Sequence, residues 1–247
     1  MIESITKAFN SYSKKPFLFV WSSLMYIILL LAFFFAAVGV LLAYFMVLSM
    51  FDRALELDSL PTMAIFGVIG LVFVFFTNGL NAALAKAYRS AVWDEKTSLT
   101  KFYTYVLEKS VEMFGIMLVR DLFWLLLAGP AIGLYLYMLD GVQYMDLLLW
   151  MYVLSVTFVV HMLFTPAFIA AGAFNMGTYA AMKHAFEFMR RKHIFFIGMY
   201  VMFAIVWALN FIPFVQFVTI FFAYPLLYAA MAVMMEDSLK LKEGEEE

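Results

Sequence analysis

The sequence predicts an all-α membrane protein with six transmembrane helices in three parallel hairpin repeats, each preceded by a short amphipathic helix at the cytoplasmic interface. Three observations predict this fold: an extreme apolar composition, six long apolar runs, and basic residues concentrated in alternate connections. Of the 247 residues, 66% are hydrophobic and 14% are charged. Soluble domains are about half apolar and about one quarter charged. A soluble core of this size cannot bury so much apolar surface, so a soluble enzyme, a disordered chain and a nucleic-acid-binding module are excluded.

The six predicted spans follow from hydrophobic length, because a helix needs about 20 apolar residues to cross a bilayer. The apolar runs cover residues 17–50, 61–85, 113–138, 147–174, 194–211 and 213–235. The first run follows Lys7, Lys14 and Lys15, as a signal peptide would. It continues far beyond the about 7–15 apolar residues of a signal sequence, so we expect a helix that is not cleaved.

The basic residues predict the orientation, because lysine and arginine accumulate on the cytoplasmic side. They precede the first span, lie between spans two and three and between spans four and five, and follow span six. The other side combines Arg53 with the acidic residues Asp52, Glu56, Asp58, Asp140 and Asp146. We therefore expect a multi-pass protein of the cell membrane with both termini in the cytoplasm.

A threefold repeat is predicted by two signatures that recur in the same order. Before each odd-numbered span, a lysine is followed eight residues later by a basic residue: Lys7 and Lys15, Lys101 and Lys109, Lys183 and Arg191. Apolar residues at helical spacing make each of these segments an amphipathic helix of the interface. Each even-numbered span has a polar residue or proline four residues before an alanine pair: Asn78 and Ala82-Ala83, Pro166 and Ala170-Ala171, Pro225 and Ala229-Ala230.

The repeats would cover residues 1–86, 98–174 and 178–235 of a single membrane domain, followed by an acidic cytoplasmic tail at 236–247. Small residues allow helix backbones to approach closely in lipid, which explains the alanines. Chance is the alternative, because alanine and lysine are common residues.

The segments TPAFIAAGAF and AMKHAFEFMRRK, with the alternation of spans and short basic connections, resemble a known group of proteins. These are uncharacterised six-helix integral membrane proteins of archaea and bacteria, related to the membrane domain of some glycerophosphoryl diester phosphodiesterases. The resemblance covers nearly the whole chain and rests on layout rather than on a catalytic motif. It implies the fold, and the soluble catalytic barrel of the phosphodiesterases has no counterpart in this sequence.

A layer of polar residues inside the spans is the main candidate site. Arg120 and Asp121 lie about 12 Å into span three, at a depth where charged residues are rare. Because adjacent helical residues face apart, both should find partners on other helices. The candidates at similar depth are Asn78, Asn81 and His161. The layer could be a structural staple or a site for a ligand, a proton or an ion, and Arg120 could instead extend to the inner surface.

Two further groups of residues are predicted to have structural or lipid-facing roles. Helix breaks or close packing are expected at Gly129, Pro130, Gly133, Pro166 and Pro225. Contacts with anionic lipid headgroups are expected at Lys101, Lys109, Lys183, Arg190, Arg191 and Lys192. His184 and Glu187 have the spacing of a metal pair, but a solvated helix face explains them better, so no metal or cofactor is predicted.

No phosphate-binding loop, nucleophile elbow or zinc-protease motif occurs in the sequence. The leading hypothesis is a non-enzymatic membrane protein that binds or transports a small or lipidic solute at the polar layer. The alternative is a scaffold or assembly subunit held to anionic lipid or to a protein partner, and homo-oligomers are also possible. A third hypothesis is an enzyme that modifies lipids, with Asp121 or His161 as the base.

Overall fold

The computed structural model describes residues 2–50, 60–93, 98–139 and 144–243, and within these ranges the chain is helical apart from short connections and contains no strand. The first five helices are α1 (Ile2–Lys14), α2 (Pro16–Met50), α3 (Leu60–Val92), α4 (Leu99–Leu134) and α5 (Met145–Ala173). They are followed by α6 (Thr178–Arg191), α7 (His193–Leu209), α8 (Val215–Val218) and α9 (Tyr224–Glu243). Two π-helical turns, Tyr135–Leu139 and Thr219–Ala223, follow α4 and α8.

Within the described ranges, four segments are long and apolar enough to cross a membrane: Pro16–Met50, Pro61–Val92, Met145–Ala173 and Val215–Leu239. Helices α6 and α7 are bent by 105° at their junction and add a fifth candidate if the pair is one span. The predicted helical fold is therefore confirmed, and the apolar helices are compatible with a chain that crosses a membrane several times. The count of six spans stays a prediction.

The helices differ from the expected elements around the second amphipathic segment. Residues 99–112 and the run that begins at Met113 form one continuous helix, α4, of 36 residues. In the other two cases the helix is interrupted, by Pro16 between α1 and α2 and at Lys192 between α6 and α7. The second segment has no proline at the place that corresponds to Pro16, and the break at Lys192 occurs without one.

Helices α3, α5 and α9 form the centre of the bundle and contact one another along their alanine-rich ends. The alanines of this region are at most 3% exposed: Ala82, Ala83, Ala85, Ala170, Ala171, Ala173, Ala229, Ala230 and Ala232. A Cβ atom placed on Gly172 of α5 would lie 2.7 Å from the carbonyl oxygen of Ala82 on α3. The two backbones are thus in direct contact, which only small residues permit.

The three amphipathic segments pack around this centre. Helix α1 packs on α9, the first half of α4 packs on α3, and α6 packs on α5. The Lys7 ammonium lies 4.7 Å from the centre of the Trp93 ring beyond α3, and Lys109 of α4 contacts the α5–α6 connection. All the amphipathic segments therefore meet at one end of the bundle, which we call the basic end.

Several residues behind the predicted orientation lie outside the described residues. They are Asp52, Arg53, Glu56, Asp58 and Asp140. The same holds for residue 1 of the first predicted repeat and residues 244–247 of the predicted acidic tail. The structure therefore brings the basic residues together without assigning that end to the cytoplasm.

The contact between α3 and α5 leads to a stability prediction. Gly172→Ala forces a methyl group against the backbone of Ala82, which neither helix can avoid without moving, and we expect it to lower the free energy of unfolding by about 1–3 kcal/mol. Gly67→Ala is the matched control, because a Cβ at Gly67 meets nothing within 4 Å. Thermal unfolding in detergent, followed by tryptophan fluorescence, measures both. Equal unfolding temperatures for the two variants would contradict the close packing.

Candidate functional site

Arg120 of α4 contacts two other polar residues, Asp121 of the same helix and His161 of α5. Its Nε atom donates a hydrogen bond to Asp121 Oδ1 at 2.8 Å, and its Nη2 atom lies 2.7 Å from the same oxygen. Its Nη1 atom lies 3.3 Å from Nε2 of His161 on α5. Because a guanidinium group has only donors, the histidine nitrogen is the acceptor. The guanidinium also lies over the ring of Phe168, 5.6 Å from its centre.

The pairing of Arg120 with Asp121 corrects one expectation. The two residues were expected to find partners on other helices, since adjacent positions of a helix face apart. His161 is such a partner for Arg120, but the partner of Asp121 is Arg120 itself. The arginine side chain is long enough to bend back over the helix, so its planar head reaches the neighbouring carboxylate.

Asp121 lies on the outer face of α4, and its side chain is 50% exposed, against 16% for Arg120. The apolar residues Leu118, Leu122 and Leu125 are also exposed on this helix. In a bilayer this face would meet lipid tails, where an unpaired carboxylate is costly. The ion pair cancels the charge, and the cluster remains open on the lipid side.

Four of the five predicted polar residues line one cavity of about 100 Å³: Asn78, Asn81, Arg120 and His161. Asp121 does not line it and is linked to it through Arg120. The Asn78 amide is 7% exposed and donates to the Val74 carbonyl at 2.9 Å and to the Met117 sulfur at 3.0 Å. Asn78 therefore ties α3 to α4 beside the cavity.

A second cavity of about 250 Å³ adjoins the first and is lined by four tyrosines, Tyr26, Tyr88, Tyr224 and Tyr228. Asn81 and Tyr228 line both cavities. The sequence reasoning missed these tyrosines, because tyrosine is common in membrane proteins. The repeat of the even-numbered spans could have indicated one of them, however. Tyr228 stands three residues after Pro225, which is the position that Asn81 has relative to Asn78.

A half-buried ion pair at the basic end was also missed. Nε of Arg89, near the end of α3, lies 3.6 Å from Oε2 of Glu236 on α9. The same guanidinium lies 5.3 Å from the centre of the Trp93 ring and 5.1 Å from that of Phe174. This cluster covers the basic end of the three central helices. In the sequence, Arg89 contributes only to the predicted orientation, as one of the basic residues between spans two and three.

The predicted headgroup residues fall into two groups. Lys101, Lys183, Arg190 and Arg191 are exposed at the basic end, and Lys192 is half-buried. Lys109 is only 6% exposed, and its ammonium group lies 3.1 Å from Glu112 Oε1 and 3.5 Å from the Asn175 carbonyl oxygen. Lys109 therefore holds α4 to the α5–α6 connection and does not face the surface.

The residues expected at helix breaks or close packing are also divided. Pro166 and Pro225 are buried at the centre of the bundle, while Pro130 is exposed. A Cβ at Gly129 would meet only Leu125 of its own helix, and one at Gly133 would meet nothing within 4 Å. The described residues thus bring no second helix against these two glycines.

Burial raises the pKa of Tyr105 above its ordinary value, and nearby Glu112 and Glu108 add to the effect. The phenol therefore stays protonated, and it donates a hydrogen bond of 2.6 Å to the Gly172 carbonyl. This bond joins α4 to α5 at the place where α5 contacts α3. Within the described residues, no group of three histidines, cysteines or acidic residues could hold a metal ion.

Compared with protein-family models, with curated proteins and with solved structures, the chain matches none. The resemblance to the membrane domain of glycerophosphoryl diester phosphodiesterases therefore stays a proposal.

The ion pair of Arg120 leads to a double-mutant prediction. Arg120→Met leaves the Asp121 carboxylate unpaired in an apolar span, and we expect a loss of about 1–3 kcal/mol in the free energy of unfolding. The double variant Arg120→Met/Asp121→Leu removes both charges and should recover at least half of that loss. Lys183→Met, at an exposed residue, is the control and should change little. Denaturant unfolding in detergent, with Asp121→Leu as the second single variant, gives the coupling energy, and strictly additive losses would contradict the pairing.

Proposed function

We propose that the chain is a non-enzymatic multi-pass membrane protein that binds or transports a small or lipidic solute at the Arg120 site. The observation that carries this proposal is that Arg120, held between Asp121 and His161, lines a cavity together with Asn78 and Asn81. Charged residues inside a membrane span are costly, and they usually belong to a pathway or a binding site.

The chemistry of the cavity favours a solute that accepts hydrogen bonds. The contacts with Asp121 and His161 leave two of the five N–H groups of Arg120 for a ligand, and the Asn81 amide and the Tyr228 hydroxyl add further donors. Both N–H groups of the Asn78 amide are already used within the bundle. No carboxylate lines the cavity, because Asp121 stands outside it. A phosphate, a carboxylate or a carbonyl group suits such a set of donors. The cavity of about 100 Å³ holds only such a polar group, so the apolar part of a lipidic solute would extend along the open face beside Asp121.

The proposal includes the six spans, the three repeats and cytoplasmic termini in the cell membrane. The pattern of buried residues supports the repeats when Lys7, Lys101 and Lys183 are aligned. The residue that follows each lysine is buried, and so is the residue five places after the lysine: Ala8, Phe102 and His184, and Tyr12, Val106 and Phe188. The packing is also cyclic, since each amphipathic segment contacts the even-numbered span of the preceding repeat: α1 on α9, α4 on α3, α6 on α5. A relation to the phosphodiesterase membrane domains is part of the same proposal.

Native mass spectrometry of the protein, extracted gently from its own membrane, tests the proposed site. We expect a retained lipid or solute of constant mass, and we expect Arg120→Gln to lose it. Lys14→Gln is the control with the same change of charge, because Lys14 is exposed at the basic end and should leave retention unchanged. A folded Arg120→Gln protein that keeps the same ligand would overturn the proposal.

If Arg120→Gln fails to fold, His161→Leu takes its place. The His161 side chain is exposed on α5, so its loss disturbs packing less, while the leucine lacks the acceptor that orients Arg120. We expect retention to fall at least severalfold in this variant. Full retention would mean that the cluster is a structural staple.

A scaffold role is the second candidate, because α6 ends in an exposed basic surface formed by Lys183, Arg190 and Arg191. For a scaffold, a defined protein partner would copurify and be lost in the Arg190→Gln/Arg191→Gln variant, while Arg120→Gln would keep it. Nothing in the geometry favours the lipid-modifying enzyme, since Arg120 engages both Asp121 and His161.

A further inference from the structure

A third cavity lies at the basic end, apart from the Arg120 site, between the last turns of α3 and the first turns of α4. Its volume is about 670 Å³, the largest of those described. Helix α3 contributes Lys86 and Ser90, and helix α4 contributes Thr100, Lys101 and Thr104. Two ammonium groups and three hydroxyls thus line one cavity.

Local sequence explains why the two helices leave this space. On α3, Ala83 and Ala87 lie on the same helix face as Lys86 and Ser90, and both alanines are at most 2% exposed. Because alanine side chains are short, they form the floor of the cavity without filling it. On α4, Lys101 and Tyr105 are one turn apart and form the opposite wall.

The Lys86 ammonium is positioned by an aromatic ring. It lies 3.7 Å from the centre of the Tyr105 ring, and Tyr105 is itself 4% exposed and bonded to the Gly172 carbonyl. A cation held over a ring of fixed position loses less side-chain freedom when it binds an anion. The ring therefore orders one of the two charges in advance of any ligand.

The location matches the depth of lipid phosphates. Lys86 directly follows the predicted span 61–85, so it lies where apolar tails give way to headgroups. Tyr103 and Leu107 of α4, which are 43% and 44% exposed, offer apolar surface on the same turns of α4 as the lining residues. Glu108 lines the cavity about two turns from Lys101 and about one turn from Tyr105, whose ring lies next to the Lys86 ammonium.

We propose that this cavity, between Lys86 of α3 and Lys101 of α4, binds a phosphate group carried by an anionic lipid headgroup or by a soluble phosphate ester. The two ammonium groups bind the phosphate oxygens, and Thr100, Thr104 and Ser90 are the hydroxyls within the same cavity. Glu108 repels an anionic headgroup that extends to its end of the cavity. The site shares no residue with the Arg120 site, so each can fail without the other.

Native mass spectrometry with added phosphatidylglycerol tests the site in the full-length protein. We expect Lys86→Gln/Lys101→Gln to weaken binding about tenfold, since it removes two charge-assisted contacts. Lys7→Gln/Lys14→Gln is the matched control: both lysines are exposed on α1, and the net charge changes equally. The site is supported if the control variant loses no more than about twofold in affinity for phosphatidylglycerol. Equal losses in the two double variants would overturn it, because binding would then follow net charge alone.

Competition with glycerol 3-phosphate distinguishes the two sources of phosphate. The site is assigned to a soluble phosphate ester if millimolar glycerol 3-phosphate displaces phosphatidylglycerol and also binds directly in a way that depends on Lys86 and Lys101. Lipid binding that resists the competitor, but still depends on the pair, assigns it to a headgroup. If the binding of neither phosphatidylglycerol nor glycerol 3-phosphate depends on Lys86 and Lys101, the proposal is overturned.

Glu108→Gln provides a second variant, in case the double lysine variant does not fold. Glu108 is exposed, so its loss should leave the fold intact. Removal of this negative charge should tighten phosphatidylglycerol binding severalfold and leave binding of zwitterionic phosphatidylcholine nearly unchanged. Unchanged phosphatidylglycerol binding in Glu108→Gln would contradict the proposed position of the headgroup.

Discussion

The contact between α3 and α5 is the constraint on which the rest of the structure depends. In lipid, apolar surfaces gain little from leaving their solvent, so helices associate through close packing and hydrogen bonds. Gly172 lies against the backbone of Ala82, and its carbonyl accepts the Tyr105 hydroxyl from α4. Three helices are thus joined within one turn of α5. Because α4 is held there at its first half, its continuation carries Arg120 alongside His161.

The charged groups of the bundle lie at two levels with different surroundings. At the basic end, Arg89 and Glu236 are paired across α3 and α9, and the rings of Trp93 and Phe174 flank the guanidinium. Farther from the basic end, the cluster of Arg120, Asp121 and His161 is exposed on the outer face of α4. The central bundle is therefore covered at one end and accessible from the side. A solute that reaches Arg120 by this face comes from the bilayer, which is consistent with a lipidic solute.

Sequence reasoning found part of the candidate site and missed part for a definite reason. Charged and amide residues inside an apolar run are conspicuous, so Arg120, His161 and the two asparagines could be grouped by depth alone. Tyrosines are compatible with both lipid and polar surroundings, so Tyr88 and Tyr228 carried no such signal. The interaction of Arg120 with Asp121 was mispredicted, since the rule for adjacent positions describes Cβ directions and not the reach of a long side chain.

By itself the sequence determined the helical class, the apolar segments and the small-residue faces, because hydrophobic length and periodicity are local properties of the chain. Tertiary structure alone decided that α1 packs on α9, that α4 continues without a break, and that Lys109 turns inward while Lys101 stays at a cavity. These outcomes depend on how each helix is rotated and how deeply it packs. Rotation and depth are set by contacts between residues far apart in sequence, which no local pattern encodes.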